Sequence, residues 1–197
     1  MAAKGNLMSD QQRFRSAIAV AILTVWTKPI IGQQDTRPVV EVRVLNQAEM
    51  AADVLSRAKE GVVRLFRETG IDVIWIDTAP ETTTNRFSVQ VILRHKGPTP
   101  VLGTTFSGTH DRCGTVFVYQ DHVLQVALQR EQDVAGILAY TIGHEMGHLL
   151  LAHPAHSAAG VMRASWDAND LWHIASGSLH FTAEQATAIH ARLSSCC

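Results

Sequence analysis

Hydrophobic and polar positions alternate along several short stretches of the chain, and each of these stretches predicts a β-strand. Residues 39–45 read VVEVRVL and residues 71–77 read IDVIWID, with the β-branched and aromatic side chains that strands favour. Residues 87–94 and the shorter run TVFVY at 115–119 have the same character. The pattern therefore predicts four strands, separated by turn-forming or helical segments.

Apolar residues recur at helical spacing in four other stretches of the chain. Gly70 is a natural stop for the first helix, and the third helix should end before Pro154, because the residue before a proline avoids the helical region. Thr182 and Gln185 form a capping box at the start of the last helix. The stretch 156–177 is predicted to be irregular. The predicted helices cover residues 48–69, 121–130, 133–152 and about 183–193.

The order of these elements predicts an α+β fold, with one mixed sheet and helices packed beside it in a single domain at residues 33–197. Residues 1–32 are predicted to be a leader. A basic segment there precedes the apolar run AIAVAILTVW at residues 17–26, which is typical of a signal peptide. An uncleaved membrane anchor and an ordinary first helix are the alternatives. The protein is accordingly expected to be secreted or periplasmic.

Composition limits the classes of function. Hydrophobic residues make up 46% of the chain and charged residues 18%, as in a globular protein with a core. The net charge of -1 gives no basic field for nucleic acid, and no apolar run reaches the ~20 residues of a membrane span. Of the three cysteines, Cys196 and Cys197 are adjacent, so Cys113 could pair with either one in an oxidising compartment.

The segment His144-Glu145-Met146-Gly147-His148 carries the candidate chemistry. Two histidines four apart on a helix lie on one face, so both imidazoles can reach one ion. Glu145 lies one position further round the helix, where its carboxylate can reach a water molecule on the metal but not the metal itself. A buried pair of histidines with a glutamate would be costly without a partner, and a metal ion supplies one. The segment therefore predicts a catalytic zinc site.

A catalytic zinc site needs a third protein ligand and an open fourth position. If the helix stops before Pro154, the chain can fold back and bring His156 to the ion, and we favour this residue. His153 would point away from the ion on a continuous helix, nine residues after His144. Glu184 is the other candidate, although an acid is expected anyway in the first turn of a helix.

The run HEMGHLLLAHPAHSAAGVM resembles the active-site segment of the metzincins, and of the matrixins among them. The resemblance covers about twenty residues and implies that His144, His148 and His156 bind zinc, that Glu145 is the general base, and that Met162 forms a methionine turn beneath the site. The family usually has glycine where this chain has Leu151, and its third histidine comes two residues earlier. The helix is therefore expected to run slightly longer before the turn.

The expected function is zinc-dependent hydrolysis of peptide bonds, with a peptide or protein as substrate. An extended peptide could bind along an exposed sheet edge, at residues 101–106 or 115–119. Two alternatives remain open. One is a gluzincin-type hydrolase with Glu184 as the third ligand, and the other is a non-catalytic binding domain stabilised by zinc, whose site would be closed by four ligands.

Overall fold

The computed structural model describes residues 37–78, 86–98, 100–108, 113–151 and 156–194, which belong to one compact unit spanning residues 36–197. The strands of these residues are β1 (Val39–Asn46), β2 (Asp72–Ile76), β3 (Phe87–Arg94), β4 (Gly103–Ser107) and β5 (Cys113–Tyr119). The helices are α1 (Ala52–Arg67), α2 (Gln120–Gln129), α3 (Val134–Leu151), α4 (Ala168–Ser176) and α5 (Ala183–Ser194). The predicted α+β class with a mixed sheet is confirmed.

The five strands form one sheet in the order β2-β1-β3-β5-β4. The pairs β1–β2, β1–β3 and β3–β5 are parallel, whereas β4 runs antiparallel to β5 at one end of the sheet. Alternate residues share a face, so Val42, Val89 and Val91 lie together on the buried face. Strand β4 pairs with β5 along one backbone edge, and no strand of this sheet pairs with its other edge.

Helices α1 and α3 pack against each other on the buried face of the sheet. Helix α1 is amphipathic and directs Ala58, Val62, Leu65 and Phe66 inward. Helix α3 also contacts β4, β5 and the other helices, and most of its residues are buried. Each fully buried Leu or Ile contributes about 1.5–3 kcal/mol to the stability of such a core. This packing explains the apolar character of α3 on several faces, and it carries the polar motif into the protein interior.

The prediction that residues 156–177 are irregular is wrong for the part that forms α4. Asp167 caps this helix through the backbone N–H groups of Asn169 and Asp170, and the Asp170 carboxylate accepts a hydrogen bond from the backbone N–H of Asp167. Gly177 ends the helix in the left-handed conformation. The sequence contains these start and stop signals. A helix of nine residues, however, has too few apolar positions to show the helical periodicity of its hydrophobic residues.

Helix α1 starts at Ala52, four residues later than predicted. The Asn46 side chain bonds both the backbone N–H and the carbonyl of Met50, each at 2.9 Å. Glu49 between them has a positive φ of 52°. Because the Asn46 side chain occupies the N–H and the carbonyl of Met50, these groups are not available for the hydrogen bonds of a helix that starts earlier. Helix α3 is described as far as Leu151, three residues beyond the second histidine.

Several predictions fall outside the described residues: the leader at residues 1–32, the helix stop at Pro154 and the pairing of Cys196 and Cys197. Among the described residues, no helix has the length and apolar character required to cross a bilayer.

Candidate metal centre

Three histidine rings converge at the C-terminal half of α3. His144 and His148 lie one turn apart on the helix, and His156 returns to them from the segment that follows. The ring centroids of His144 and His148 are 4.8 Å apart, and the His156 ring lies 5.4 Å from His144 and 4.8 Å from His148. One potential ligand atom from each ring lies within 4.8 Å of the other two. The three histidines could hold a metal ion.

The nitrogen atoms of the two helix histidines have a separation close to that of two ligands on a tetrahedral ion. The Nε2 atoms of His144 and His148 face each other at 3.1 Å. Two ligands at zinc–nitrogen distances of 2.0–2.1 Å in tetrahedral geometry are separated by about 3.3 Å. Nδ1 of His144 lies 2.8 Å from the carbonyl of Val161 and must carry the hydrogen, because the carbonyl can only accept. Nε2 of His144 therefore keeps its lone pair for an ion.

Both helix histidines favour the neutral form that metals require. Burial lowers the pKa of His144 below its ordinary value. Burial also lowers the pKa of His148 to about 4, and the neighbouring imidazoles of His144 and His156 act in the same direction. Protons consequently compete weakly for these two nitrogens near neutral pH.

The Met162 side chain lies against α3 directly below the motif. Met162 is fully buried, and a Cβ atom at Gly147 would overlap its sulfur. A turn presents this methionine: the N–H of Arg163 donates to the carbonyl of Gly160 at 3.1 Å. Gly160 has a φ of +78°, and a Cβ atom there would also collide with the carbonyl oxygen of His180. The structure thus brings the predicted methionine next to the histidine helix.

Trp166 braces the first histidine from outside the motif. Its Nε1–H donates to the Val161 carbonyl at 3.2 Å, so this carbonyl accepts from both Trp166 and His144. The two rings also meet edge to face, with centroids 5.9 Å apart. Arg163 holds the following segment in place through Asp167 at 2.6 Å and Asp170 at 2.5 Å. No local sequence pattern shows that Trp166 reaches the Val161 carbonyl.

Glu145 points from α3 toward β4 and is 7% exposed. Its Oε2 accepts a hydrogen bond of 2.6 Å from the Thr105 hydroxyl. Burial raises the pKa of Glu145 above its ordinary value, and the bond from Thr105 opposes this shift. Gly103, two residues before Thr105, leaves room for the carboxylate arm: a Cβ atom there would lie 2.7 Å from Cγ of Glu145. The contacts of Thr105 and Gly103 with Glu145 could not be predicted from the sequence, since both residues lie about forty positions from Glu145.

A Gly103→Ala substitution should destabilise the protein by about 1–3 kcal/mol through overpacking. The added Cβ would meet Glu145 Cγ at 2.7 Å and the backbone carbonyl of Phe117 at 2.8 Å, and the backbone cannot rotate away. Thermal unfolding should report a Tm lower by about 3–10 °C. Gly136→Ala in α3 is the control, because its Cβ would make an ordinary contact at 3.6 Å. Equal Tm values for both variants would contradict this account of Gly103.

The other candidate ligands lie elsewhere or outside the described residues. Glu184 is exposed in the first turn of α5, where its own backbone N–H and the Thr182 side chain lower its pKa. The cap that Thr182 and Gln185 form there is the predicted one. Among the described residues, the only group of donors close enough to hold a metal is the three histidines. His153 lies outside the described residues.

Comparison with known proteins does not assign the chain to a family. No family model matches the sequence, and a search of curated proteins finds no match.

Proposed function

We propose that the protein is a zinc-dependent peptide hydrolase of metzincin type, in which His144, His148 and His156 bind the ion and Glu145 is the general base. One observation carries the proposal. Three imidazole donors converge, whereas the carboxylate of Glu145 is bonded to Thr105 on β4 and does not belong to their group. A structural zinc site is closed by four protein ligands, whereas a catalytic site has three and an open position. Among the described residues, three donors with a separate carboxylate match the second arrangement.

Zinc is the proposed metal, because it suits this donor set. Imidazole nitrogens bind zinc well, and the 3.1 Å separation of the two Nε2 atoms is close to the tetrahedral value. When bound, zinc makes a water molecule acidic enough to lose a proton near neutral pH and polarises a carbonyl group. The Val161 carbonyl orients His144, as the hydrogen-bond partners of metal-bound histidines commonly do.

Glu145 has the surroundings that a general base requires. It is buried, and burial raises its pKa toward the range in which a carboxylate takes up a proton readily. In the proposed reaction, Glu145 accepts a proton from the attacking water molecule. It then delivers this proton to the nitrogen of the departing amine as the peptide C–N bond breaks.

Strand β4 is the proposed binding edge for an extended peptide. It lies at the end of the sheet and pairs with β5 on one side only. Thr105 in this strand contacts Glu145 directly, so a peptide added beside β4 would pass close to the base. Strand addition supplies backbone hydrogen bonds for an extended peptide. The proposed edge, residues 103–107, overlaps one of the two stretches considered from the sequence, residues 101–106. The predicted leader makes the proposed site of action extracytoplasmic.

Removal of the metal should abolish hydrolysis and lower stability. The purified protein should cleave unfolded casein, lose this activity with a zinc chelator and regain it with added zinc. Free zinc at a thousand times its Kd would stabilise the folded state by about 4 kcal/mol, so Tm should rise by about 10 °C over the metal-free protein. Magnesium serves as the control ion, because it prefers oxygen ligands.

The same two measurements separate the proposal from the non-catalytic alternative. A zinc-dependent rise in Tm without any cleavage of casein or of a peptide library would support a zinc-stabilised binding domain instead. Cleavage that persists after complete removal of metal would contradict the zinc-dependent mechanism.

A further inference from the structure

The Thr105 hydroxyl makes the contact that fixes the carboxylate of Glu145. Its Oγ1 lies 2.6 Å from Oε2 and 3.1 Å from the backbone carbonyl oxygen of the same glutamate. A hydroxyl has one hydrogen to donate, and 2.6 Å is the usual length of a bond from a hydroxyl to a charged carboxylate. The shorter bond to Oε2 is therefore the main one.

Strand β4 contacts the glutamate at two points on one face. Residues two apart in a strand point the same way, so Gly103 and Thr105 both face α3. Gly103 leaves space against Cγ of Glu145, where a Cβ atom would lie at 2.7 Å, and Thr105 bonds the carboxylate beyond it. The side chain is confined along its length, and the bond at one oxygen fixes the rotation of the carboxylate.

We propose that Thr105 is a positioning residue for the general base, holding Oε2 so that Oε1 is the oxygen that accepts the proton. This inference rests on the proposed function. The proton leaves the water molecule, resides on Oε1 and passes to the amine nitrogen as the C–N bond breaks, while Thr105 keeps its own hydrogen throughout. Because the same strand is the proposed binding edge, Thr105 also fixes the distance between peptide and base.

Substitution at position 105 tests this role by separating the turnover rate from substrate binding. Thr105→Val keeps the shape of the side chain and removes the hydroxyl, so kcat should fall about 10–100-fold, as for other residues that orient a metal site from outside. KM and zinc content should stay within about two-fold, because the strand edge and the histidines are unchanged. Thr105→Ser retains the hydroxyl and should recover most of the rate.

Thr187→Val is the matched control. Thr187 is exposed on α5, and its hydroxyl donates to the backbone carbonyl of Ala183 in the same helix at 2.9 Å. The substitution removes the same chemical group at a residue outside the metal centre and outside the proposed binding edge. We expect its kcat to equal that of the wild type.

A stability measurement on the metal-free protein tests the contact without relying on activity. Thr105→Val, Glu145→Ala and the double variant form a double-mutant cycle. If Thr105 bonds the carboxylate, Thr105→Val should lower Tm more in the wild type than in the Glu145→Ala background. Additive Tm changes would overturn the inference.

Two activity results would also overturn it: a Thr105→Val variant as fast as the wild type, or a Thr105→Ser variant as slow as Thr105→Val. These failures differ from failure of the proposed function. If the zinc-loaded wild type does not cleave peptides at all, both proposals fall. If the wild type cleaves, Glu145→Gln does not, and Thr105→Val matches the wild type, only the role of Thr105 falls.

Discussion

A Glu145→Gln variant should bind zinc as the wild type does and hydrolyse peptides about 10²–10⁴ times more slowly, the range that general acid–base catalysis contributes. Glutamine has nearly the shape of glutamate and can still accept the hydrogen bond from Thr105, which is 2.6 Å long in the wild type. It cannot take a proton from water. The measurements are kcat on a peptide substrate and zinc content of the same preparation.

The stability of this variant is a second readout. Burial raises the pKa of Glu145 in the folded state, so the charged carboxylate lowers the free energy of unfolding. That cost is absent at a pH below the unfolded pKa and is fully present once the pH has risen through the folded pKa. At neutral pH, metal-free Glu145→Gln should therefore have a Tm no lower than that of the wild type. Glu184→Gln, which changes an exposed carboxylate, is the control for the loss of one charge.

Full activity in zinc-loaded Glu145→Gln would contradict the role of Glu145 as the base. A loss of activity that accompanies a loss of zinc would mean that Glu145 holds the metal centre together rather than transferring protons. The histidine geometry argues against this second outcome, because the donor group of the described residues comprises the three imidazoles.

The parts of the fold that could be predicted from sequence are those set by short-range periodicity. The sequence pattern predicts β3 at its observed bounds, and α3, described over Val134–Leu151, lies within its predicted range of residues 133–152. Both elements are long enough for their period to be unambiguous. Helix α4 was missed because its nine residues are held mainly by hydrogen bonds at their ends rather than by a long apolar stripe.

The residues of the candidate site also differ in how far they could be predicted from the sequence. His144 and His148 could be placed on one face because helix geometry fixes residues four apart. Thr105 could not be found, since only the pairing of β4 at the end of the sheet brings it to Glu145 across forty residues. Trp166 likewise reaches His144 through the Val161 carbonyl, a contact that depends on the turn between them. Local spacing predicts the candidate ligands His144 and His148, whereas long-range packing determines which residues orient the site.

His156→Ala should weaken zinc binding by more than about 100-fold, since loss of a ligand should exceed the 10–100-fold cost of losing an orienting residue. The His156 ring lies 4.8 Å from His148 and 5.4 Å from His144. Without it, two imidazoles would remain and the ion would exchange a protein nitrogen for water. Competition with a chromophoric chelator measures the affinity directly, independently of any activity.

Glu184→Ala is the matched test of the gluzincin alternative, and it should leave zinc affinity within about two-fold of the wild type. Glu184 is exposed, and its hydrogen bonds are made within its own helix cap, so its removal should not reach the histidines. His153→Ala should likewise retain zinc, because His156 already converges on the two helix histidines. If Glu184→Ala loses zinc and His156→Ala retains it, the result would support the gluzincin alternative, in which Glu184 is the third ligand. If His153→Ala and His156→Ala both lose zinc, the result would indicate the closed site of a non-catalytic domain.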